Sequence, residues 1–95
     1  MVDGPCTIVG QCGRSPNYPS TYSSNERCTF WHVPLVPLHV LHFETEPGYD
    51  DVTVNGRTFS GHRGPEGVVP ADGSIGWHSD ASTVRTGWEL SLIHI

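Results

Sequence analysis

At 95 residues the chain is the size of one domain, and eleven glycines, eight prolines and 36% apolar residues suit short strands joined by turns better than a helical bundle. Ten acidic residues against five arginines and no lysine give a net charge of −5, which argues against a nucleic-acid binder, since phosphates demand clustered cations; the arginines at 14, 27, 57, 63 and 85 are scattered singly. No apolar run reaches 18 residues, which excludes a helix inserted across a membrane, and Met1-Val2-Asp3-Gly4-Pro5 lacks the charged and apolar regions of a signal peptide.

Taken in chain order, Thr7-Ile8-Val9 reads as a short strand, and positions 10 to 25 as a turn-rich excursion. Within it, prolines on either side of Asn17-Tyr18 fix φ near −65° and forbid a helix, predicting a rigid, extended corner. Residues 28 to 33 alternate in a period of two, as a half-buried strand does, until Pro34 and Pro37 interrupt. Residues 38 to 43 form the next strand, closed by the Glu44-Thr45-Glu46-Pro47-Gly48 turn. Two strands, 51–54 and 57–60, flank Asn55-Gly56, a dipeptide that accepts positive φ at both positions and predicts a type I′ hairpin. A Gly- and Pro-rich loop follows, then strands at 74–79 and 86–92 with a turn over 80–84. No segment sustains a 3.6-residue period. The expectation is an all-β domain, a two-sheet antiparallel β-sandwich.

Three cysteines in a Cys-x5-Cys-x15-Cys spacing match no common zinc pattern, and the histidines do not complete one. A disulfide is expected instead, which implies an oxidising compartment. Closing a loop of about fifteen residues contributes ~3 kcal/mol in the chain-entropy model. His39 and His42, three apart on a strand, are expected to face opposite sides. Ser60, Ser79 and Asp80 form no Gly-x-Ser-x-Gly elbow or paired nucleophile and base, so no catalytic residue is assigned and the chain is not read as an enzyme.

The blocks Ser15-Pro16-Asn17-Tyr18-Pro19 with Tyr22, Cys28-Thr29-Phe30-Trp31, Phe43-x-x-Glu46, Tyr49-Asp50-x-Val52-x-Val54, and Ser79-Asp80 followed by Gly87-Trp88, in that order, resemble a CUB domain from Ser15 to Trp88. The resemblance implies a CUB-like jelly roll over the single domain 1–95. It implies a disulfide tying the first segment to the cysteine before the aromatic strand: Cys12–Cys28 is expected, with Cys6–Cys28 as the alternative. A second disulfide usual in the family is missing, because Pro47 and Ser60 stand in its places. The resemblance also implies a Ca²⁺ site built from Glu46, Asp50 and Asp80, completed by carbonyls near Ser82, with Tyr18 holding a carboxylate from behind. Hard Ca²⁺ takes six to eight oxygens, so three carboxylates from separate loops suit it; as ordinary loop acids they would be solvated instead.

The function so implied is an extracellular protein-interaction module of a larger secreted or cell-surface protein. A partner's basic residue would reach the acidic cluster beside Tyr18 and Tyr22, and other domains of the parent chain would be neighbours. The rival readings are a carbohydrate-binding sandwich, which needs several exposed aromatics on one platform, and a structural spacer without metal. Residues 90–95 match the translation of a transposase adaptor end used in sequencing libraries. The natural chain is therefore expected to continue differently after Glu89, with a cysteine near position 91 facing Cys6, and this chain to be a fragment.

Overall fold

The computed structural model describes residues 2–93, and it is all-β. Nine strands follow in order: β1 (Val2–Asp3), β2 (Thr7–Val9), β3 (Cys12–Arg14), β4 (Arg27–Phe30), β5 (His39–Glu44), β6 (Asp51–Val54), β7 (Arg57–Phe59), β8 (Ile75–His78) and β9 (Gly87–Ser91). They pair antiparallel into two sheets, one of five strands in the order β1-β4-β8-β6-β7 and one of four in the order β2-β3-β9-β5. The two layers form a β-sandwich, as the period-2 segments require.

Alternation along the strands fills the space between the sheets. Phe30, Val52, Val54, Ile75 and Trp77 come from the five-stranded sheet, and Phe43, Trp88 and Leu90 from the other. Trp77 and Trp88 meet edge to face across the core at 5.8 Å, and Phe30 meets Trp88 at 5.8 Å. Such ring pairs stabilise beyond the area they bury.

The hairpin at Asn55-Gly56 forms as expected, with φ of 55° and 77° at its two central residues. The excursion over 10–25 differs from expectation: it contains β3, which pairs with both β2 and β9. Cys-Gly-Arg carries no apolar alternation, so nothing in its composition marks a strand. Gly13 lets Phe30 pack close against its backbone, 3.2 Å from where a Cβ would stand. The proline-rich corner is a turn rather than an extended segment. The Tyr18-Pro19 peptide is cis, Asn17 has φ 65°, and Tyr18 N–H donates to the Ser15 carbonyl. Ser15 anchors this turn, since its hydroxyl accepts from Trp88 N–H at 2.9 Å. Gly87 has φ 90°, and a Cβ there would collide with that hydroxyl.

The expected Cys12–Cys28 pairing is corrected. Cys28 bonds Cys6, with Cα atoms 6.0 Å apart, and Cys12 is the free thiol. The physical reason is β3: once Cys12 joins the ladder opposite Ser91, its neighbour Gly13 faces Phe30 in the core, so Cys12 faces out of the sandwich, away from the buried Cys28. Burial, with the Glu89 charge second, pushes the Cys12 thiol up, which makes it a poor nucleophile. The expectation that position 91 faces Cys6 is corrected likewise, because Ser91 faces Cys12. Leu90 and Leu92 are buried; His94 and Ile95 of the 90–95 segment lie outside the described residues.

The faces of His39 and His42 also differ from expectation. A register shift between Val40 and His42 sets His39 opposite Ser91 and His42 opposite Glu89. Ser91 and Glu89 are two apart, hence on one face, so the bulge brings both histidines to that face. They do not share a metal: His39 contacts Glu66, while His42 Nε2 lies 2.9 Å from the Thr86 hydroxyl.

Candidate functional site

The candidate site lies at the pole where β5 ends in one sheet and β6 begins in the other. Residues after Glu44 turn tightly, with Asp50 N–H donating to the Glu46 carbonyl at 3.1 Å and Gly48 at φ 80°. β8 leaves the same end of its sheet, since His78 pairs with Asp51, and carries Ser79 and Asp80 beside that turn. Ser79 is buried and locks this exit: its hydroxyl accepts from Glu26 N–H and donates to the Ser23 carbonyl. The two connections therefore deliver their acids to one place. One carboxylate oxygen from each of Glu46, Asp50 and Asp80 lies within 4.8 Å of the others.

The three carboxylates differ in how they are held. Asp50 is fully buried; its Oδ2 accepts from the Tyr22 hydroxyl at 2.6 Å and its Oδ1 from Asp80 N–H at 2.8 Å. The same Tyr22 hydroxyl accepts Glu46 N–H at 3.2 Å, so one phenol ties both acids together. Burial first, and the Asp50 hydrogen bond second, push the Tyr22 phenol far above its ordinary value, so it stays a donor. Asp80 accepts Ser82 N–H at 3.3 Å, a local turn that aims its carboxylate. Thr83, in the same loop, takes a left-handed φ of 64°, costly for a β-branched residue.

Glu46 is the unsatisfied member. Its Oε1 is shut off from solvent and meets no hydrogen-bond donor among the described residues. Burial, then the Asp80 charge, push its carboxyl above the ordinary 4.5. A buried acceptor without a donor, facing two more carboxylates, is the donor set a hard cation satisfies.

A raised carboxyl pKa has a definite consequence for stability. Its contribution is fully present below the unfolded value and is lost as pH rises through the folded value. Burial raises Glu26 and Asp51 as well, so their contribution has the same sign. In metal-free buffer the urea midpoint is therefore expected to fall as pH rises through the window starting near 4.5, and Glu46→Gln to flatten that slope. An unchanged slope in Glu46→Gln would show that Glu46 is not the strained acid.

Of the other expected site residues, Tyr22 and Tyr18 are corrected. The carboxylate support expected of Tyr18 comes from Tyr22, which is 1% exposed and so unavailable to a partner. Tyr18 instead sits in an aromatic and cationic stack with His42 at 5.6 Å and the Arg14 guanidinium at 5.5 Å. Ser82 contributes its N–H to Asp80, as above. The residue that sequence reasoning missed is Tyr49, 62% exposed on the turn between Glu46 and Asp50. Its position inside that turn, next to a buried acid, was the available signal. Trp31 is also exposed, but it follows Phe30 at the Ile75 end of the sheet, opposite to the end that carries Tyr49. These two aromatics make no common platform.

Pro47 and Ser60, where the resemblance places a second disulfide, are neighbours. The Ser60 hydroxyl accepts Gly48 N–H at 2.9 Å, and Pro47 Cγ lies 3.5 Å from the Cβ direction of Gly61. One hydrogen bond and one apolar contact join the two segments there. Neither a scan against protein-family models nor a search of curated proteins finds a match to this chain.

Proposed function

We propose that this protein is a CUB-like, calcium-assisted protein-interaction module of the extracellular kind. The observation that carries the reading is the meeting of Glu46, Asp50 and Asp80 oxygens within 4.8 Å, with Asp50 buried and Glu46 Oε1 lacking a donor. Calcium suits these residues better than zinc or copper, because every candidate ligand is a hard oxygen and, among the described residues, no histidine or cysteine joins them. Glu46, Asp50 and Asp80 would hold the ion, and bound Ca²⁺ would cancel their mutual repulsion and fix two loops in advance of a partner.

The partner surface is the rim of this pole. Tyr49 offers an exposed aromatic face, and three carboxylates around one divalent ion leave residual negative charge for a lysine or arginine. This is a recognition role rather than a catalytic one, and affinity per domain is modest, with strength gained from multiple copies. A disulfide between Cys6 and Cys28 supports an oxidising, extracellular setting. The carbohydrate reading is weaker, since the exposed Trp31 and Tyr49 sit at opposite ends of the sheet.

Calorimetric titration of the disulfide-intact protein with CaCl₂ tests this. Saturable heat with one site is expected, lost in Asp80→Ala, whose side chain is only half-buried and whose folding is verified by its unfolding curve. No heat at millimolar Ca²⁺, or an Asp80→Ala titration equal to wild type, would reject the reading.

A further inference from the structure

Arginines scattered along the sequence meet on the surface at a second place. A groove of about 640 Å³ runs along β7, the edge of the five-stranded sheet, and is walled by the loop that follows it. Arg57, His62 and Arg63 line it together with Thr58, Phe59 and Ser60. Two of the five arginines of a protein with net charge −5 thus share one groove. Neither arginine enters an ion pair among the described residues. The Arg57 guanidinium lies 5.4 Å above the Phe59 ring, which holds it extended along the strand. The carboxylate of Glu66, on the far wall, is already engaged by Val40 N–H at 2.8 Å and by His39.

The backbone of this edge adds a second element. In a two-residue I′ hairpin the residues flanking the turn, Val54 and Arg57, form a hydrogen-bonded pair, so the next pair, Thr53 and Thr58, does not. The N–H and C=O of Thr58 therefore point away from β6, toward the groove. No hydrogen bond to them occurs among the described residues. The Ser60 hydroxyl, which accepts Gly48 N–H, still has its own proton to donate. The groove is thus rich in donors and carries an open strand edge.

We propose that this groove binds an extended acidic peptide segment of a partner protein. The segment would add to β7 through Thr58, with carboxylates on alternate residues reaching Arg57 and Arg63. Strand addition explains why the cations flank an open edge, and charge complementarity selects acidic over neutral segments. The site is separate from the three carboxylates and does not depend on their holding a metal.

The test is fluorescence anisotropy with a fluorescein-labelled ten-residue peptide of alternating Glu and Val. Saturable binding to the wild-type, disulfide-intact protein is expected, weakened about tenfold or more by each of Arg57→Ala and Arg63→Ala. Both arginines are exposed, so a matching thermal unfolding curve verifies that the variants fold. The same peptide N-methylated at alternate amides is expected to lose binding to wild type, and Asp80→Ala to leave binding unchanged. Absent saturation at millimolar protein, equal binding by the double-arginine variant, or equal binding of the N-methylated peptide would overturn the proposal. So would a sulfated tetrasaccharide that binds through Arg57 and Arg63 where the peptide does not.

Discussion

Asp50→Ala is expected to destabilise the metal-free protein by about 3–4 kcal/mol, the largest effect of any single side chain at the pole. Asp50 is fully buried and accepts two hydrogen bonds that join separate parts of the chain, one from Tyr22 and one from the backbone of Asp80. Bonds to a charged acceptor in a dry site contribute more than neutral ones, and their loss strands the Tyr22 hydroxyl and the Asp80 N–H. The Thr45 hydroxyl, which donates to the Asp50 carbonyl, keeps the turn's backbone in place, so the loss is local to the carboxylate. Asp50→Asn preserves the shape and one acceptor and is expected to fall between. Asp80→Ala, half-exposed and without a buried donor, is expected to cost less than about 1 kcal/mol. Urea unfolding in EDTA measures all three; an Asp50→Ala loss no greater than that of Asp80→Ala would show that Asp50 is not the organising residue.

Removing the disulfide is the second large effect. Cys6 and Cys28 are 22 residues apart, and opening that loop returns conformational freedom to the unfolded chain worth about 3 kcal/mol. For a domain with one small core this is a sizeable part of total stability. The double variant Cys6→Ala, Cys28→Ala is expected to lose that amount, whereas Cys12→Ser is expected to change stability by less than about 0.5 kcal/mol. Non-reducing peptide mapping checks the connectivity directly. A Cys12–Cys28 cross-link, or a large loss in Cys12→Ser, would contradict the account.

Much of the fold was legible because strands of a sandwich announce themselves by alternation. Thr7-Ile8-Val9, the Asn55-Gly56 hairpin and the segments around Trp77 and Trp88 lie where period and turn chemistry put them. β3 was not legible, since Cys-Gly-Arg is recruited by its neighbours β2 and β9 and not by its own composition. The cysteine partner expected from the resemblance was wrong for the same reason, because the resemblance does not choose between Cys6 and Cys12 and only the place of Cys12 in β3 decides it. The bulge in β5 was equally invisible, and it reversed the relative facing of His39 and His42. A one-residue insertion in a ladder leaves no mark in periodicity but flips every side chain beyond it.

At the site, the three acids were picked out by the resemblance and not by residue type alone, and their meeting at one pole follows from strand order. The division of labour between tyrosines was not. Tyr18 and Tyr22 look alike in sequence, but Tyr22 passes under the pole while Tyr18 packs on the outer face with Arg14 and His42. The grouping of Arg57 with Arg63 likewise depends on how the loop after β7 returns along the sheet edge.

Diffraction from crystals grown with a calcium-like lanthanide such as terbium, read at its absorption edge, tests the shared cation most directly. The account predicts one anomalous peak at about 2.3–2.6 Å from oxygens of Glu46, Asp50 and Asp80, with Glu46 Oε1 among them. A pole with no peak, its Glu46 carboxyl protonated and hydrogen-bonded to Asp80, would contradict it.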